Sequence, residues 1–441
     1  RAQSQRAPGA RGGRGGGHGA DPAAPIPVRH HPATWGEQEL LDLCALAGGS
    51  ADQDQPSYWI EYFPGDGGVV LAAPHDGLCR PYKLPRRTHG IMVRDTGTKG
   101  LAAAVALELC RRGSPRPHLL VCHLARTRLD VNRAKEQSCQ HPAARRAWDR
   151  YHELLRHACD MAVRASPHAA MFLDVHAQAN YRFSGVDAVE LGTLCPSAQD
   201  LQLGPSHLEQ LAAERVAAAR LEHGDGDGFE EHLATHLQGW FTMPRLAAAA
   251  LHHSGVSFAE LVLGFDSFGG LLNKHNVKAV PSPEFPMPPR GIVAKWQEME
   301  VKKREIEAGA VDADNASLAP VRSRSAPARS RKAATGASAK REVPAGPADE
   351  EDTPEVDDGF GLGSDDELHK SCNGISPFFS GSSSYPLRSM HTRLDSVQVE
   401  CPVRLTRYPQ HWLPLAEALV SSLKELWRMH LRHRQCPAEG P

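Results

Sequence analysis

Residues 169–178 read "AAMFLDVHAQ", an apolar run that turns polar at Asp174 and His176. A short apolar run bounded by turn signals is typical of a strand that is buried in a parallel sheet. Such a strand delivers its last side chains to the carboxyl edge of the sheet, where ligands bind in open α/β folds. The sequence therefore predicts a buried strand at 169–175 that presents Asp174 and His176 at its exit.

Similar apolar runs alternate with helical patterns along the chain. Further strands are predicted at 67–74, 117–124, 188–195 and 394–401. Helices are predicted at about 98–112, 143–165 and 205–222, with a closing helix that begins at Trp412. Strands that alternate with helices predict an α/β fold, built as a mostly parallel twisted sheet with helices on both faces.

Two segments have compositions that cannot bury enough apolar surface to fold. Residues 1–30 are rich in Gly and Arg, which predicts a disordered leader. Residues 301–375 hold a basic block followed by an acidic block among Ser, Ala, Pro and Gly, which predicts a long disordered, charged insertion. The α/β domain would then run over 31–300 and resume at 376–435 with its last strand and helix.

Bulk composition narrows the class of protein. The formal charge of −2 shows no bias toward nucleic acid or membranes, and no apolar run approaches the roughly 18 residues of a membrane span. The ten cysteines form no Cys-x-x-Cys pair, which argues against a cysteine-rich zinc module and a disulfide scaffold. We therefore expect free thiols and a cytoplasmic protein. A targeting peptide lost before Arg1 is the alternative, because the chain does not begin with Met.

The leader also contains two Arg-Gly-Gly triplets, which could contact RNA. A flexible, biased leader is the favoured interpretation, so a nucleic-acid partner is not expected. Nothing in the sequence indicates an oligomeric state.

Polar residues follow several of the predicted strands. They are His75, Asp76, Asp95, Arg126, Arg128, Asp130, Asn132, Arg133, Asp174, His176 and Glu400. Two neutral imidazoles and a carboxylate, with one position open to water, make a catalytic zinc site, and a further carboxylate can serve as general base. The planar fork of Arg133 suits a substrate carboxylate, and Asn132 can add a hydrogen bond. The alternative is that each histidine is a hydrogen-bonded structural residue without a metal.

Six segments, in this order, resemble the N-formylglutamate amidohydrolase family, which is similar to zinc carboxypeptidases. They are "APHDG" at 73–77, "RDTGTKGLA" at 94–102, "ARTRLDVNR" at 125–133, "LDVHAQA" at 173–179, the Ser-Phe-Gly-Gly to Val-Pro-Ser-Pro stretch at 259–288 and "DSVQVECP" at 395–402. The resemblance covers about 55–290 and 376–432. It implies a zinc-exopeptidase-like fold.

The resemblance also implies a function. The chain would be a metal-dependent amidohydrolase that cleaves a small N-acyl amino acid, such as an N-formyl one, or a similar amide with a zinc-activated water. It would act on carbon–nitrogen bonds other than peptide bonds. The implied roles are His75, Asp95 and His176 as metal ligands, Asn132, Arg133 and Arg126 as substrate-binding residues, Glu400 as the catalytic base, and Asp130 and Asp174 as residues that orient the others.

Departures from the family pattern leave alternatives open. Leu78 stands where carboxypeptidases place their second metal ligand, so Asp95 or Asp76 must replace it; Asp95 is preferred because it can be held at a helix start. Glu260 is the rival of Glu400 as base, and His391 is a further candidate for lining the site. "SGSSSY" replaces the Gly-Gly-Tyr-Asn-like turn before the last strand. The alternative function is an inactive family member that binds partners through its charged insertion.

Overall fold

The computed structural model of the chain describes residues 25–48, 57–88, 90–133, 135–167, 170–178, 188–193, 198–238, 240–286 and 394–431. Within these ranges there are eight strands: β1 (Val28–His30), β2 (Ile60–Phe63), β3 (Val69–Ala73), β4 (His118–Cys122), β5 (Met171–Gln178), β6 (Val189–Gly192), β7 (Ala279–Val280) and β8 (Asp395–Pro402). The predicted insertion at 301–375 lies outside the described residues, as do residues 1–24 of the predicted leader.

The helices of the described residues lie between and after these strands. They are α1 (Glu37–Gly48), α2 (Thr98–Arg111), α3 (Lys135–Ser138), α4 (Pro142–Ala165), α5 (Ala198–Leu203), α6 (Pro205–His223), α7 (Phe229–Leu237), α8 (Pro244–Ala249), α9 (Phe258–Leu263), α10 (Phe268–Lys274), α11 (Val403–Thr406) and α12 (Trp412–His430). A π-helical turn follows α8 at Ala250–Ser254, and a 3-10 turn precedes α12 at Pro409–His411.

All eight strands form one sheet in the order β1-β2-β4-β3-β5-β8-β6-β7. Five neighbouring pairs run parallel, and the pairs β2–β4 and β6–β8 run antiparallel. The prediction of an α/β fold with a mostly parallel sheet is confirmed. Its likeness to zinc exopeptidases remains an expectation.

Strand β8 rejoins the sheet after residues 287–393, which lie outside the described ranges. It pairs with β5 along its whole length, from Met171 beside Asp395 to Gln178 beside Pro402. The prediction that the late strand completes the same sheet is therefore confirmed. The segments before and after the gap belong to one folded unit.

Two hydrophobic clusters cover the two faces of the sheet, because successive side chains of a strand point to opposite faces. Leu173 and Val175 of β5 pack into the cluster that contains α2 and α12, whereas Phe172 packs into the cluster that contains α4. Asp174 and His176 therefore lie on the same face as Phe172. This places both side chains on the α4 face, near the carboxyl end of β5.

The start of α2 packs closely against the segment that follows β8. Gly97 has a φ of +85°, in the left-handed region, and a Cβ atom there would overlap the carbonyl oxygen of Thr406. A Cβ atom on Gly100 would overlap the ring of Trp412. Glycine, which has no side chain, is the residue that fits at both positions. Asp95 lies two residues before Gly97. The close packing at this helix start therefore also fixes the backbone that carries Asp95.

The first strand differs from the expected organisation, whereas the cysteines agree with it. Strand β1 falls inside the segment predicted as a disordered leader and pairs with β2, so folding begins before residue 31. Every cysteine within the described residues is a free thiol, as expected. We find in these ranges no helix with the length and apolar character needed to cross a bilayer.

Candidate metal centre

Three side chains converge at the carboxyl edge of the sheet. His75 follows β3, Asp95 precedes α2, and His176 lies in β5. His75 Nδ1 lies 3.2 Å from His176 Nδ1 and 3.3 Å from Asp95 Oδ2, and His176 Nδ1 lies 2.9 Å from the same Asp95 oxygen. All three residues are buried, with at most 3% of their surface exposed. They form a buried group that could hold a metal ion.

The distances within this triangle suit a coordinated cation. Ligands of a tetrahedral zinc lie about 2.0–2.1 Å from the metal, which puts neighbouring ligand atoms about 3.3 Å apart. The observed separations of 2.9, 3.2 and 3.3 Å are close to this value. Two imidazole nitrogens and one carboxylate oxygen are also the ligand types that zinc takes in catalytic sites.

A second layer of carboxylates lies behind the two imidazoles. His75 Nε2 lies 2.8 Å from Asp130 Oδ1, and His176 Nε2 lies 3.0 Å from Asp174 Oδ2. An Nε2–H that donates to a carboxylate leaves the Nδ1 of a neutral imidazole with its lone pair directed at the cluster. Asp130 and Asp174 thus contact the outer nitrogens of the two imidazoles, and their orienting role stays a prediction.

The electrostatics of the cluster favour positive charge on His176. Burial lowers the pKa of His176, but the charge of Asp174 and hydrogen bonds with Asp174 and Asp95 outweigh it and raise the pKa to about 10. Two imidazole nitrogens and a carboxylate oxygen that face one another need a proton or a cation between them. A divalent cation would replace the proton on His176.

Arg126 holds two of these carboxylates in place. Its Nη1 lies 3.2 Å from Asp95 Oδ1, and its Nε lies 3.1 Å from Asp130 Oδ2. Burial raises the pKa of Asp130, but the charges of Arg126 and His75 outweigh it and hold the pKa well below its usual range. Arg126 is 3% exposed, and its guanidinium contacts the aspartates of the cluster and, at 3.5 Å, the carbonyl oxygen of Val93. Its binding to substrate stays a prediction.

The two candidate aspartates occupy different places. Asp76 Oδ1 accepts a hydrogen bond of 2.7 Å from Arg94 Nε, and its Oδ2 accepts one of 3.0 Å from the backbone N–H of Lys99. Asp76 therefore caps the first turn of α2 from outside the helix. Asp95 is the aspartate that the structure brings to His75 and His176.

The predicted substrate-binding residues Asn132 and Arg133 lie on the turn after β4. Asn132 Nδ2 lies 3.0 Å from Asp174 Oδ2 and 2.9 Å from His176 Nε2, on the outer side of that imidazole. Its Oδ1 is buried and makes no hydrogen bond with any described residue. Arg133 is half-buried, and its backbone N–H donates to Asp130 O. Arg133 thus follows the turn that carries Asp130 and is partly accessible to solvent.

Glu400 lies beside the cluster in the sheet. It is the register partner of His176 across the β5–β8 pair, on a neighbouring strand about 4.8 Å away. Glu400 is 3% exposed, and its Oε1 accepts a hydrogen bond of 2.7 Å from Gln398 Nε2. Its rival Glu260 lies on α9, is exposed, and does not belong to the buried group. The candidate His391 lies outside the described residues.

Sequence reasoning missed Glu190 of β6. This residue is the register partner of Glu400 on the other side of β8 and is 1% exposed. His176, Glu400 and Glu190 therefore form a row across three adjacent strands. The available signal was a glutamate in the middle of the apolar run "AVELG", but its position beside Glu400 depends on an antiparallel pairing that the sequence does not reveal.

Comparison of the chain with protein-family models, with curated proteins and with solved structures found no match.

Proposed function

We propose that this chain is a metal-dependent amidohydrolase that cleaves the amide bond of a small N-acyl amino acid, with zinc as its cation. The observation that carries the proposal is the convergence of His75 Nδ1, His176 Nδ1 and Asp95 Oδ2 within 3.3 Å of one another. The buried carboxylates behind both imidazoles add to it, because such partners orient the histidines that ligate catalytic metals.

The donor set fits zinc better than calcium or magnesium. Calcium and magnesium prefer sites made entirely of oxygen ligands, whereas imidazole suits zinc and its neighbours in the first transition row. A cation held here would polarise the carbonyl of a substrate and make a water molecule acidic enough to attack it near neutral pH. Hydrolysis of an amide next to a carboxylate uses both effects.

Glu400 supplies the general base in this proposal. Its carboxylate takes one proton from the attacking water and delivers it to the amide nitrogen as the carbon–nitrogen bond breaks. The water oxygen stays on the acyl carbon, so the products are a carboxylic acid and an amine. Gln398, which donates to Glu400 Oε1, holds the carboxylate in position.

Arg133 binds the carboxylate of the substrate in this proposal. A guanidinium offers two parallel N–H donors, which match the two oxygens of a carboxylate. Arg133 follows Asp130 and Asn132 on one turn, so the backbone that positions the second layer of the metal site also carries the proposed substrate grip. Arg126 and Asn132 act mainly through the aspartates and the imidazole that they contact.

The experiment measures zinc content and the hydrolysis of N-formyl and N-acetyl amino acids with acidic, neutral and basic side chains. We expect one zinc in the buried site and turnover of at least one substrate. Glu400→Gln should keep this zinc and lower kcat by about 10²–10⁴-fold. Arg133→Lys should mainly raise KM, because it removes a bidentate contact with the substrate carboxylate that is present in the ground state and the transition state alike.

Glu260→Gln is the matched control, because it makes the same chemical change on an exposed helix. It should leave kcat, KM and zinc content unchanged. A chain that binds zinc at His75 and His176 but hydrolyses none of these amides contradicts the proposed activity. Loss of kcat in Glu260→Gln with normal kcat in Glu400→Gln would place the base outside the sheet.

A further inference from the structure

A second group of metal-ligating side chains lies outside the sheet, where α6 and α7 meet. Helix α7 carries His232 and His236, and Glu222 lies in the last turn of α6. Residues four apart lie on the same face of an α-helix, and both histidines contact Glu222 of the neighbouring α6. Like the buried triad, these residues bring together one carboxylate oxygen and two imidazole nitrogens.

The distances resemble those of the buried triad. His236 Nε2 lies 3.1 Å from Glu222 Oε2 and 3.2 Å from His232 Nε2, and His232 Nε2 lies 3.6 Å from the same glutamate oxygen. These values again lie near the separation of about 3.3 Å between ligands of a tetrahedral zinc. The side chains are 20% to 60% exposed, so water can complete the coordination.

The two Nε2 atoms face each other and the same carboxylate oxygen, so all three atoms are directed at one point. A cation at the centre would contact all three atoms at once. We propose that Glu222, His232 and His236 form a second, surface metal site that takes zinc or a similar transition-metal ion.

The site would fasten α7 to α6. The two helices are joined by Gly224–Gly228, with the sequence "GDGDG", and both Gly224 and Gly228 have positive φ angles. Glycine loses more conformational freedom on folding than any other residue, so this connection is costly to order. Helix α7 also has Gly228 as its N-cap residue, which offers no side-chain cap. A metal bound to ligands on both sides of the loop stabilises the folded pair, because it binds the folded state selectively.

A neighbouring group, formed by Glu230, His252 and His253, provides the matched control. His253 Nε2 lies 3.0 Å from Glu230 Oε2 and 3.1 Å from His252 Nδ1. Its histidines are adjacent in sequence and lie in the π-helical turn, whereas His232 and His236 present equivalent nitrogens from one α-helical face. The pair His232 and His236 is the better chelator, because regular helix geometry holds both ligands on one face.

The test compares zinc stoichiometry, measured by equilibrium dialysis, in the whole chain and in three variants. We expect His232→Ala/His236→Ala to lose one zinc relative to the wild type, and His252→Ala/His253→Ala to lose none. Alanine favours helices, so the double change in α7 leaves its fold intact. His176→Ala should keep the surface zinc, so a failure of the buried site alone does not affect this result.

A local readout accompanies the stoichiometry. Zinc should slow amide hydrogen exchange across Gly224–Gly228 in the wild type and in His176→Ala, but not in His232→Ala/His236→Ala. Glu222→Gln should weaken the effect without changing the histidines. The proposal is overturned if the α7 double variant keeps the wild-type stoichiometry, or if the loss appears in His252→Ala/His253→Ala instead.

Discussion

His176 contacts carboxylates through both of its ring nitrogens, and this decides how the site responds to pH. Asp174 Oδ2 lies 3.0 Å from its Nε2, and Asp95 Oδ2 lies 2.9 Å from its Nδ1. The two carboxylates raise the pKa of His176 and so favour its protonated form when the site holds no cation. Metal and proton therefore compete for the same nitrogen, as ligands must lose their protons before they bind a metal.

We predict that metal binding at the buried site releases a proton. The pKa of His176 is raised to about 10, so the metal-free residue is charged throughout the range below that value. Binding must displace this proton, and metal affinity should rise by about tenfold per pH unit between roughly pH 6 and 9. Calorimetric titration with zinc in two buffers of different ionisation enthalpy measures the protons released.

The His232→Ala/His236→Ala variant should be used for this titration, because it removes the proposed surface site from the signal. His75→Ala is the control that disables the buried site while leaving His176 in place. A zinc-binding enthalpy that is the same in both buffers would contradict the assigned protonation of His176.

At this scale the sequence predicted most of the candidate site. His75, Asp95, Asp130, Asp174 and His176 each follow or precede a recognisable element, so the geometry of a parallel sheet brings them to one edge. The sequence favoured Asp95 over Asp76 but could not decide between them, because Asp76 follows β3 by three residues and Asp95 precedes α2 by three. It depends on Arg94 and on the N–H of Lys99, which engage Asp76 in three dimensions.

Among the elements, helix α2 links the candidate metal site to the segment after β8. Its first turn follows Asp95 and packs against Thr406 and Trp412. The position of Asp95 therefore depends on residues that lie some 300 positions later in the chain. Packing at the helix start should thus affect metal binding as well as stability.

We predict that Gly97→Ala lowers both stability and metal affinity. The left-handed backbone costs about 1–2 kcal/mol for a residue with a Cβ atom, and overlap with Thr406 O adds to this cost. Chemical denaturation and zinc titration measure the two effects.

Gly113→Ala is the matched control for this prediction. Gly113 has a φ of +71°, but no atom lies within 4 Å of the position that its Cβ would take. Gly113→Ala should lower the free energy of unfolding only by the cost of the left-handed backbone, and it should leave zinc affinity unchanged. Equal losses in the two variants would mean that the contact with Thr406 does not matter.

The elements themselves were predictable to different degrees. Helix α4 was expected at 143–165 and runs over Pro142–Ala165, because its amphipathic pattern is long and strongly periodic. Strand β1 was missed, because three residues are too few to show a period. Helices α7 to α10 were also missed, since short helices packed within a core show no continuous polar face.

For the whole molecule, the principal feature is a single sheet built from two distant parts of the chain. Strand β8 lies between β5 and β6, and it comes after the residues from 287 to 393 that the structure leaves undescribed. The apolar pattern predicted that this strand would return to the sheet. It could not predict its neighbours, because strand order is set by tertiary packing rather than by local periodicity.

We predict that deletion of residues 301–372, with a short flexible linker in their place, leaves the fold and the buried metal site intact. Loop length affects stability weakly, by about 0.6 kcal/mol for each doubling. Thermal unfolding and zinc stoichiometry should match those of the full chain. A variant that no longer unfolds cooperatively would show that the deleted segment packs against the sheet.

The central position of β8 also has a consequence during synthesis on the ribosome. His75, Asp95 and His176 emerge long before β8, whereas β6 and β7 have no link to β5 until β8 is inserted between them. A nascent chain released before residue 395 would hold the ligands of the buried site on one fragment of the sheet, without Glu400. Translation thus delivers the three candidate ligands early, whereas the proposed base and the residues Thr406 and Trp412, against which α2 packs, arrive together only after residue 395.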